Sequence, residues 1–556
     1  MKVSEAIVRI LEDEGIEVAF GIPGASINSL YEHLGKSEKI RHYTARHEEG
    51  AVHAADGYFR ANGKMALAIC TSGPAATNFV TGLYTAQIDS MPLIAITGQN
   101  VRSQLGKESF QCVDIAKIAE PVAKKTWCVT EPAQVPGIMR KAFQVAREGR
   151  PGPVLIDLPL DVQEAEISYD PEYDHSLPVY KPAPDPVGIE KAVRMLLSAK
   201  RPVILLGGGV ILAGATEELR QFAEYLQIPV VTTYMGKGGF PPNHPLYAGQ
   251  VGIQCNTRAG NKVFLESDVV LGIGCRFSDR HTGDLGTYTK GRKFIHVDIE
   301  PTQIGRIIPT EIGIVGDAKL ASQALLEAAR DATAKRKPSE WVLGIPRLRE
   351  ELARRLDFDN VPIKPQRVFK EMNEFFGEDA IFTAGCGLVQ IWSGQFQEIS
   401  KPRHYLPSGG AGTLGYEVPA AIGAKIAKPD STVVAVVGDG GLLFMGEELA
   451  MACQHNVPIM VVVVNNGYLS LIRQNQKYGY GYEYAVDLWY DGSRVDFVKY
   501  AEAFGAYAER VEKPEEIRPA FERAMKAGRP ALVDVIVERQ TDCAMGPGID
   551  RVREFE

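Results

Sequence analysis

Short apolar, β-branched runs recur along the whole chain, and each is followed by a longer stretch with helical periodicity. MALAIC, PLIAITG, PVLIDLP, PVILLGGG, PVVTTY, VVLGIG, FIHVDI, STVVAVVGDG and PIMVVVVNN are close to continuously apolar rather than alternating. Such strands have both faces covered, and strands joined through helices run parallel. The expected fold class is α/β, with parallel sheets flanked by helices. A chain of 556 residues exceeds one core, and at roughly 150 residues per domain it should hold three or four.

Two proline-rich, polar segments divide the chain. One spans residues 169–186, YDPEYDHSLPVYKPAPDP, and the other runs from about Lys335 to Pro365. Both are expected to be linkers, which leaves blocks at 1–168, 187–338 and 365–545. The first and third blocks follow one plan. TSGPAATN, a helix and SMPLIAITGQN in the first match GDGGLLF, a helix and NVPIMVVVVNN in the third. AREGRPGPVLIDLP likewise matches MKAGRPALVDVIVE. Two related α/β domains are expected.

Charge and cysteine usage exclude several classes. The formal net charge is −8, so no chain-wide basic field invites nucleic acid. The eight cysteines are scattered without a C-x-x-C pair, which points to neither a zinc site nor a disulfide framework and suits a reducing cytosol. MKVSEAIVRILEDEG carries acids within its apolar pattern and is expected to be an amphipathic helix stopped at Gly15, not a signal peptide. No apolar run reaches the roughly 18 residues of a membrane span.

The third block carries the sharpest chemical signal. STVVAVV should be a buried strand ending in Gly438-Asp439-Gly440, followed by a helix from about Gly446 to Gln454 and a second strand, Ile459–Val464, ending in Asn465-Asn466. Parallel strands end on one sheet edge, so Asp439 and Asn466 can meet although 27 positions separate them. An Asp carboxylate, an Asn amide oxygen and a backbone carbonyl are hard ligands that suit Mg²⁺ sharing phosphate oxygens and water. Neighbouring glycines let backbone N–H groups approach those phosphates.

This spaced pattern, and nearly the whole chain, resembles the acetolactate synthase and glyoxylate carboligase group of thiamine-diphosphate enzymes. The resemblance implies three domains in the order pyrimidine-binding, central and diphosphate-binding. It maps Mg²⁺ onto Asp439, Asn466 and the carbonyl of Tyr468. It maps the diphosphate onto Cys386, Gly387, Leu388 and Val389 in TAGCGLVQIW, and onto Gly440 and Gly441. In SGGAGTLGYEVPAAIG it places Gly412 near the aminopyrimidine and makes Leu414 the bulky residue that holds the cofactor bent.

In ARHEEGAVHAADGY, the family's catalytic carboxylate falls on Glu48, with Glu49 as the in-sequence competitor. A carboxylate there favours the imino form of the aminopyrimidine, whose nitrogen takes the thiazolium proton. The resemblance also places Pro23, Gly24, Pro74, Asn78 and Gln111 on the pyrimidine or substrate side. It implies that the carboxylate and the diphosphate site come from different subunits, so a homodimer or homotetramer is expected.

PVILLGGGVILAGATEELRQF is expected to be strand, glycine turn and helix, with Gly207, Gly208 and Gly209 open to a pyrophosphate. The G-x-G-x-x-G spacing is absent. GIGCRFSDRHTG, HVDIEPTQIG and VGDAK resemble the group's flavin-binding segments. That likeness implies structural FAD held by Gly274, Arg276, Ser278, Arg280, Asp298, Asp317 and Ala318, together with Thr233, Tyr234 and Arg150.

Within the group, RFSDRHTGDLGTYTKGRKFIHVDIEPTQIGR, FDNVPIKPQRV, NNGYLSLIRQNQ and AMGPGIDRVREFE resemble the glyoxylate-condensing branch. Acetolactate synthases carry a Trp nine residues after the Asn466 position, where this chain has Asn475. Leu471 and Ile472 would then wall a pocket for a small 2-oxo acid, and two glyoxylate molecules would give tartronate semialdehyde and CO2. Glu48 departs from that branch, which typically has Val there, and matches the acetolactate synthases instead. Acetolactate synthesis from pyruvate is the alternative, and a pyruvate-oxidase-like flavin oxidoreductase is a second.

Overall fold

The computed structural model describes residues 1–172, 174–489 and 492–555. It contains three six-stranded sheets, and their strand pairs all run parallel. The first sheet is ordered Arg41–Thr44, Val18–Gly21, Leu67–Cys70, Ile94–Gln99, Val154–Pro159, Lys125–Cys128. The third is ordered Tyr405–Pro407, Ile381–Ala384, Val433–Gly438, Met460–Asn465, Ala531–Ile536, Tyr507–Val511. Counted in chain order within each sheet, both run 2-1-3-4-6-5. The two GRP-led segments that match in sequence are the sixth strand of each. The fold class is as expected, and the first and third blocks share one topology.

The middle sheet is ordered Ile312–Val315, Lys293–Asp298, Val269–Ile273, Pro202–Leu206, Val230–Thr232, Tyr247–Gln250. Its chain order reverses between Pro202–Leu206 and Val269–Ile273. In the other two sheets the reversal lies between the first and third strands. Crevices outside the carboxyl ends of parallel strands at such reversals are where ligands bind.

The first and third sheets are not separate bodies. While one face of the third sheet packs a separate cluster, its other face (Ala435, Val437, Val461, Val463) shares with the first sheet a continuous buried cluster that includes Val52, Ala54, Val418 and Ile422. Helices Glu48–Asn62 and Glu417–Ala427 cross at its centre. Small residues make that crossing possible. A Cβ on Gly57 would stand 2.2 Å from the Ala420 carbonyl oxygen. The second expected linker is not bare chain, since it carries helices Glu340–Leu343 and Ile345–Glu351. Val342 and Ile345 are buried there and anchor those helices to the central domain.

Candidate active site

Gly438 pairs with Val464 on neighbouring parallel strands, so Asp439 and Asn466 leave the same sheet edge side by side. The helix after G-D-G begins at Asp439 and runs to Met445, seven residues before the expected start at Gly446. Gly440 and Gly441 form its first turn. Asp439 is buried, and burial pushes its carboxyl up to about 7 against the opposing pull of nearby backbone N–H groups. Asn466 is buried too. Its Oδ1 accepts from the Ser470 hydroxyl at 2.8 Å and from the Tyr468 N–H at 3.3 Å, while its Nδ2 has no partner. The Tyr468 carbonyl accepts from the same hydroxyl at 3.0 Å. Arg539 donates to the Asn466 and Gly467 carbonyls, both at 3.3 Å, and lies over the Tyr468 ring, which pins the turn. Among the described residues, no group of three or more His, Cys, Asp or Glu could hold a metal. One carboxylate with amide and carbonyl oxygens fits Mg²⁺ that keeps phosphate oxygens and water, not a cation caged by protein alone.

Strand Ile381–Ala384 feeds the second turn of this edge. Gly387 has φ +104°, which favours glycine, and opens the helix Leu388–Phe396. Leu388 and Val389 are buried in that helix's first turn. A Cβ on Gly438 would stand 3.6 Å from Val389, so the two turns touch. Cys386 Sγ is 3.5 Å from where a Cβ of Gly412 would be. Gly412 and Gly415 both have positive φ, with half-buried Leu414 between them.

The first sheet's matching edge gathers the other half of the expected site. Gly24 rests on Thr71, where a Cβ would be 2.6 Å from the Thr71 side chain, and the preceding Pro23 is exposed. Pro74 opens the helix Pro74–Asp89. Gln111, in a left-handed backbone conformation, lies over Gly73, whose Cβ would stand 2.7 Å from that of Gln111. Asn78 Nδ2 donates to Glu48 Oε2 at 2.9 Å. Glu48 is the first residue of its helix, half-buried, with its carboxylate at the helix's positive end. Glu49 turns elsewhere, and its Oε1 lies 3.2 Å from Nε2 of buried His53.

In the central sheet, Gly207 N–H donates to the Ile273 carbonyl and Gly209 N–H to that of Gly274. A Cβ on Gly207 would be 2.1 Å from the Gly274 oxygen. Gly207 is therefore used in packing the two turns together. The other residues expected around a flavin line one cavity of about 640 Å³, which Cys386, Gly412 and Leu471 also line. Asp298 is pushed up to about 6, mainly by burial, and the neighbouring Arg150 and Arg276 oppose that shift. Asp317 spends one oxygen capping the helix Ala318–Ala332 through the Lys319 and Leu320 N–H groups. Ile472, next to Leu471, is exposed in the single chain and does not face the cavity.

Three domain models of thiamine pyrophosphate enzymes match the chain. These are the N-terminal TPP binding domain over residues 1–118, the central domain over 189–325 and the C-terminal TPP binding domain over 385–535. The chain belongs to the thiamine pyrophosphate enzyme family. A protein of Escherichia coli O157:H7 named glyoxylate carboligase is 49% identical, with the alignment covering 100% of this chain and 96% of that one. A probable acetolactate synthase large subunit of Methanocaldococcus jannaschii is 42% identical over 98% of this chain and 94% of its own. The acetolactate synthase large subunit of Corynebacterium glutamicum is 43% identical over 96% and 86%.

Two carboxylates of this thiamine pyrophosphate enzyme escaped the sequence reading. Glu417 is fully buried, in the space left by the missing side chain of Gly385. Its carboxyl faces the backbone N–H groups of Gly385, Cys386 and Gly415 without meeting them in good hydrogen-bond geometry, and burial pushes it up to about 7. Glu448 is buried against the loop ahead of Glu48. Both lie within helical runs that look like ordinary solvated positions, so only their matching place beside glycines (Gly385 and Gly50) could have signalled them. No hydrogen bond or ion pair among the described residues joins the Glu48 cluster to the Asp439 cluster. No described helix is long and apolar enough to cross a membrane.

Proposed function

We propose that this thiamine pyrophosphate enzyme is a Mg²⁺-dependent carboligase that joins two glyoxylate molecules into tartronate semialdehyde with loss of CO2. The observation that carries the substrate choice is the full-length likeness to the relative named glyoxylate carboligase. The bound cofactor supplies a thiazolium carbon that adds to a 2-oxo acid and accepts the electron pair released with CO2.

The chain's own residues divide the remaining work. Asp439, the amide oxygen of Asn466 and the Tyr468 carbonyl would hold Mg²⁺. The backbone from Cys386 to Val389, with Gly440 and Gly441, would receive the diphosphate at the start of helix Leu388–Phe396, where unpaired N–H groups and the helix dipole favour an anion. Leu414 would be the bulky residue that holds the cofactor bent, with Gly412 near its aminopyrimidine. Glu48, fixed by Asn78, would hold a proton against the pyrimidine ring nitrogen. The Asp439 and Glu48 clusters sit on separate sheet edges of one chain, which supports a homodimer, or a homotetramer of two such dimers, in which each site draws Glu48 from one subunit and Asp439 from the other. Exposed Ile472 would then meet the substrate pocket only in that assembly.

The cavity at the central sheet's reversal suits FAD in size, and Arg150, Arg276 and Arg280 supply positive charge for its pyrophosphate. Product analysis decides the substrate. Glyoxylate alone should give tartronate semialdehyde and CO2. Acetolactate from pyruvate as the dominant product would replace this reading with acetolactate synthesis, and oxygen uptake matching product would replace it with a flavin oxidoreductase.

A further inference from the structure

The backbone leading into the Glu48 helix is held by the other cofactor-binding domain of the same chain. Glu448 lies in a helical turn, Gly446–Glu448, of the third-sheet domain. Its carboxylate accepts the Arg46 N–H at 3.0 and 3.2 Å and the His47 N–H at 2.9 Å. Two residues earlier, the Thr44 N–H meets Nε2 of His455 at 3.1 Å, and the Arg46 side chain donates to Gln454. Gly50 makes room for this arrangement, since a Cβ there would stand 2.2 Å from Glu448 Oε1. The first N–H groups of a helix lack partners within it. His47 supplies a local cap to Glu49 N–H through Nδ1 at 3.1 Å. Just ahead of the helix, the Arg46 and His47 N–H groups both go to the Glu448 carboxylate.

A related contact joins the same two domains in the opposite direction. Asp89, at the end of the first-sheet helix Pro74–Asp89, accepts the Gly409 N–H at 3.0 Å and the Gly410 N–H at 2.8 Å. Those residues lead to Gly412 and Leu414. The two domains share one topology, and Asp89 and Glu448 stand on the matching helical runs of each. Each carboxylate therefore grips the loop that carries the other domain's site residues. A repeated contact of this kind, on matching elements, is hard to attribute to general packing.

We propose that Glu448 is a positioning residue for Glu48: it fixes the start of the helix, and with it the direction of the Glu48 carboxylate toward Asn78. The inference rests on the assignment of Glu48 made above. Glu448 acts through the backbone of Arg46 and His47, not by contact with cofactor or substrate. Its loss should leave the diphosphate and metal contacts intact and blunt only the proton movement that Glu48 controls.

The test uses the full-length holoenzyme and three substitutions, Glu448→Gln, Gly50→Ala and Glu48→Gln. The readouts are cofactor affinity by calorimetry, C2-proton exchange of bound thiamine diphosphate by NMR, and kcat and KM separately. Glu448→Gln keeps the shape but turns an N–H donor toward the Arg46 or His47 N–H. Gly50→Ala displaces the carboxylate from the opposite side, in a helix where alanine is otherwise favoured. Each should slow exchange and kcat by about tenfold or more, as small misplacements of a reacting group do. Cofactor affinity and KM should stay within about twofold, and neither change should slow exchange further in a Glu48→Gln background. Wild-type exchange in both Glu448→Gln and Gly50→Ala would overturn the proposal, as would equal losses with and without Glu48. Wild-type exchange in Glu48→Gln would instead overturn the Glu48 assignment itself. Melting curves establish that the variants fold, and Gly50→Ala carries the test alone if Glu448→Gln does not.

Discussion

Gly423 lies against the backbone of Ala54 so closely that a methyl group at 423 would stand 1.9 Å from the Ala54 carbonyl oxygen. The two residues sit on the helices that begin with Glu417 and Glu48, so this contact sets the spacing of both site helices. The obstacle is backbone, which cannot rotate aside as a side chain can. Gly423→Ala should therefore destabilise the protein by ~3 kcal/mol, at the upper end of overpacking costs. A lowered melting temperature checks this, and an unchanged one would mean the two helices separate freely.

Asp439→Ala and Asn466→Ala should each abolish Mg²⁺-dependent binding of thiamine diphosphate. Removing a hard ligand leaves the diphosphate charge without its counter-ion. Calorimetric titration with and without Mg²⁺ is the measurement, and unchanged affinity in either variant refutes the metal assignment.

Glu48→Gln should slow C2-proton exchange by orders of magnitude while cofactor affinity largely survives, because the metal and diphosphate contacts lie on another sheet. Glu49→Gln should change little, since Glu49 faces His53 rather than Asn78. Glu48→Val should also slow exchange. It removes a charge beside an anionic acceptor, however, and like charges in a low-dielectric cleft repel. Glyoxylate carboligation should suffer less than exchange does.

Burial raises the folded-state pKa of Glu417 from 4.5 to about 7. The folded state then binds the proton more tightly than the unfolded state does. Its contribution is fully favourable below about pH 4.5 and is lost as pH rises to about 7, by at most ~3 kcal/mol. Glu417→Gln should flatten the stability profile of the cofactor-free protein across that window. Denaturant titrations at pH 5 and pH 8, in wild type and variant, would show it, and parallel profiles would contradict it.

Purified protein should carry FAD, visible as flavin absorbance after denaturation. Reconstitution with a non-reducible flavin analogue should restore full carboligation, because a structural flavin exchanges no electrons. Loss of activity with the analogue would favour the oxidoreductase reading.

Local periodicity determined much of this protein. Continuous apolar runs have no solvent-facing positions, so they required strands covered on both faces, and the helices between them required parallel order. The spacing from Asp439 to Asn466 likewise placed both on one edge, since parallel strands all end on the same side. Side-chain direction was a different matter. Glu48 and Glu49 are adjacent and chemically alike; Glu49 turns to His53 one turn along its own helix, and only the packing of helix Pro74–Asp89 against it gives Glu48 its partner Asn78. Gly207 belongs to a promising glycine run, yet the approach of Gly274 uses it for packing. Glu417 and Glu448 sit in helical stretches that carry no local mark of burial, because what buries them comes from Gly385 and Gly50, distant in the chain. Tertiary structure decided these points because a side chain's surroundings are set by segments outside its local window, 30 residues away for Glu48 and Asn78 and far more for Glu448 and Gly50, which no local pattern encodes.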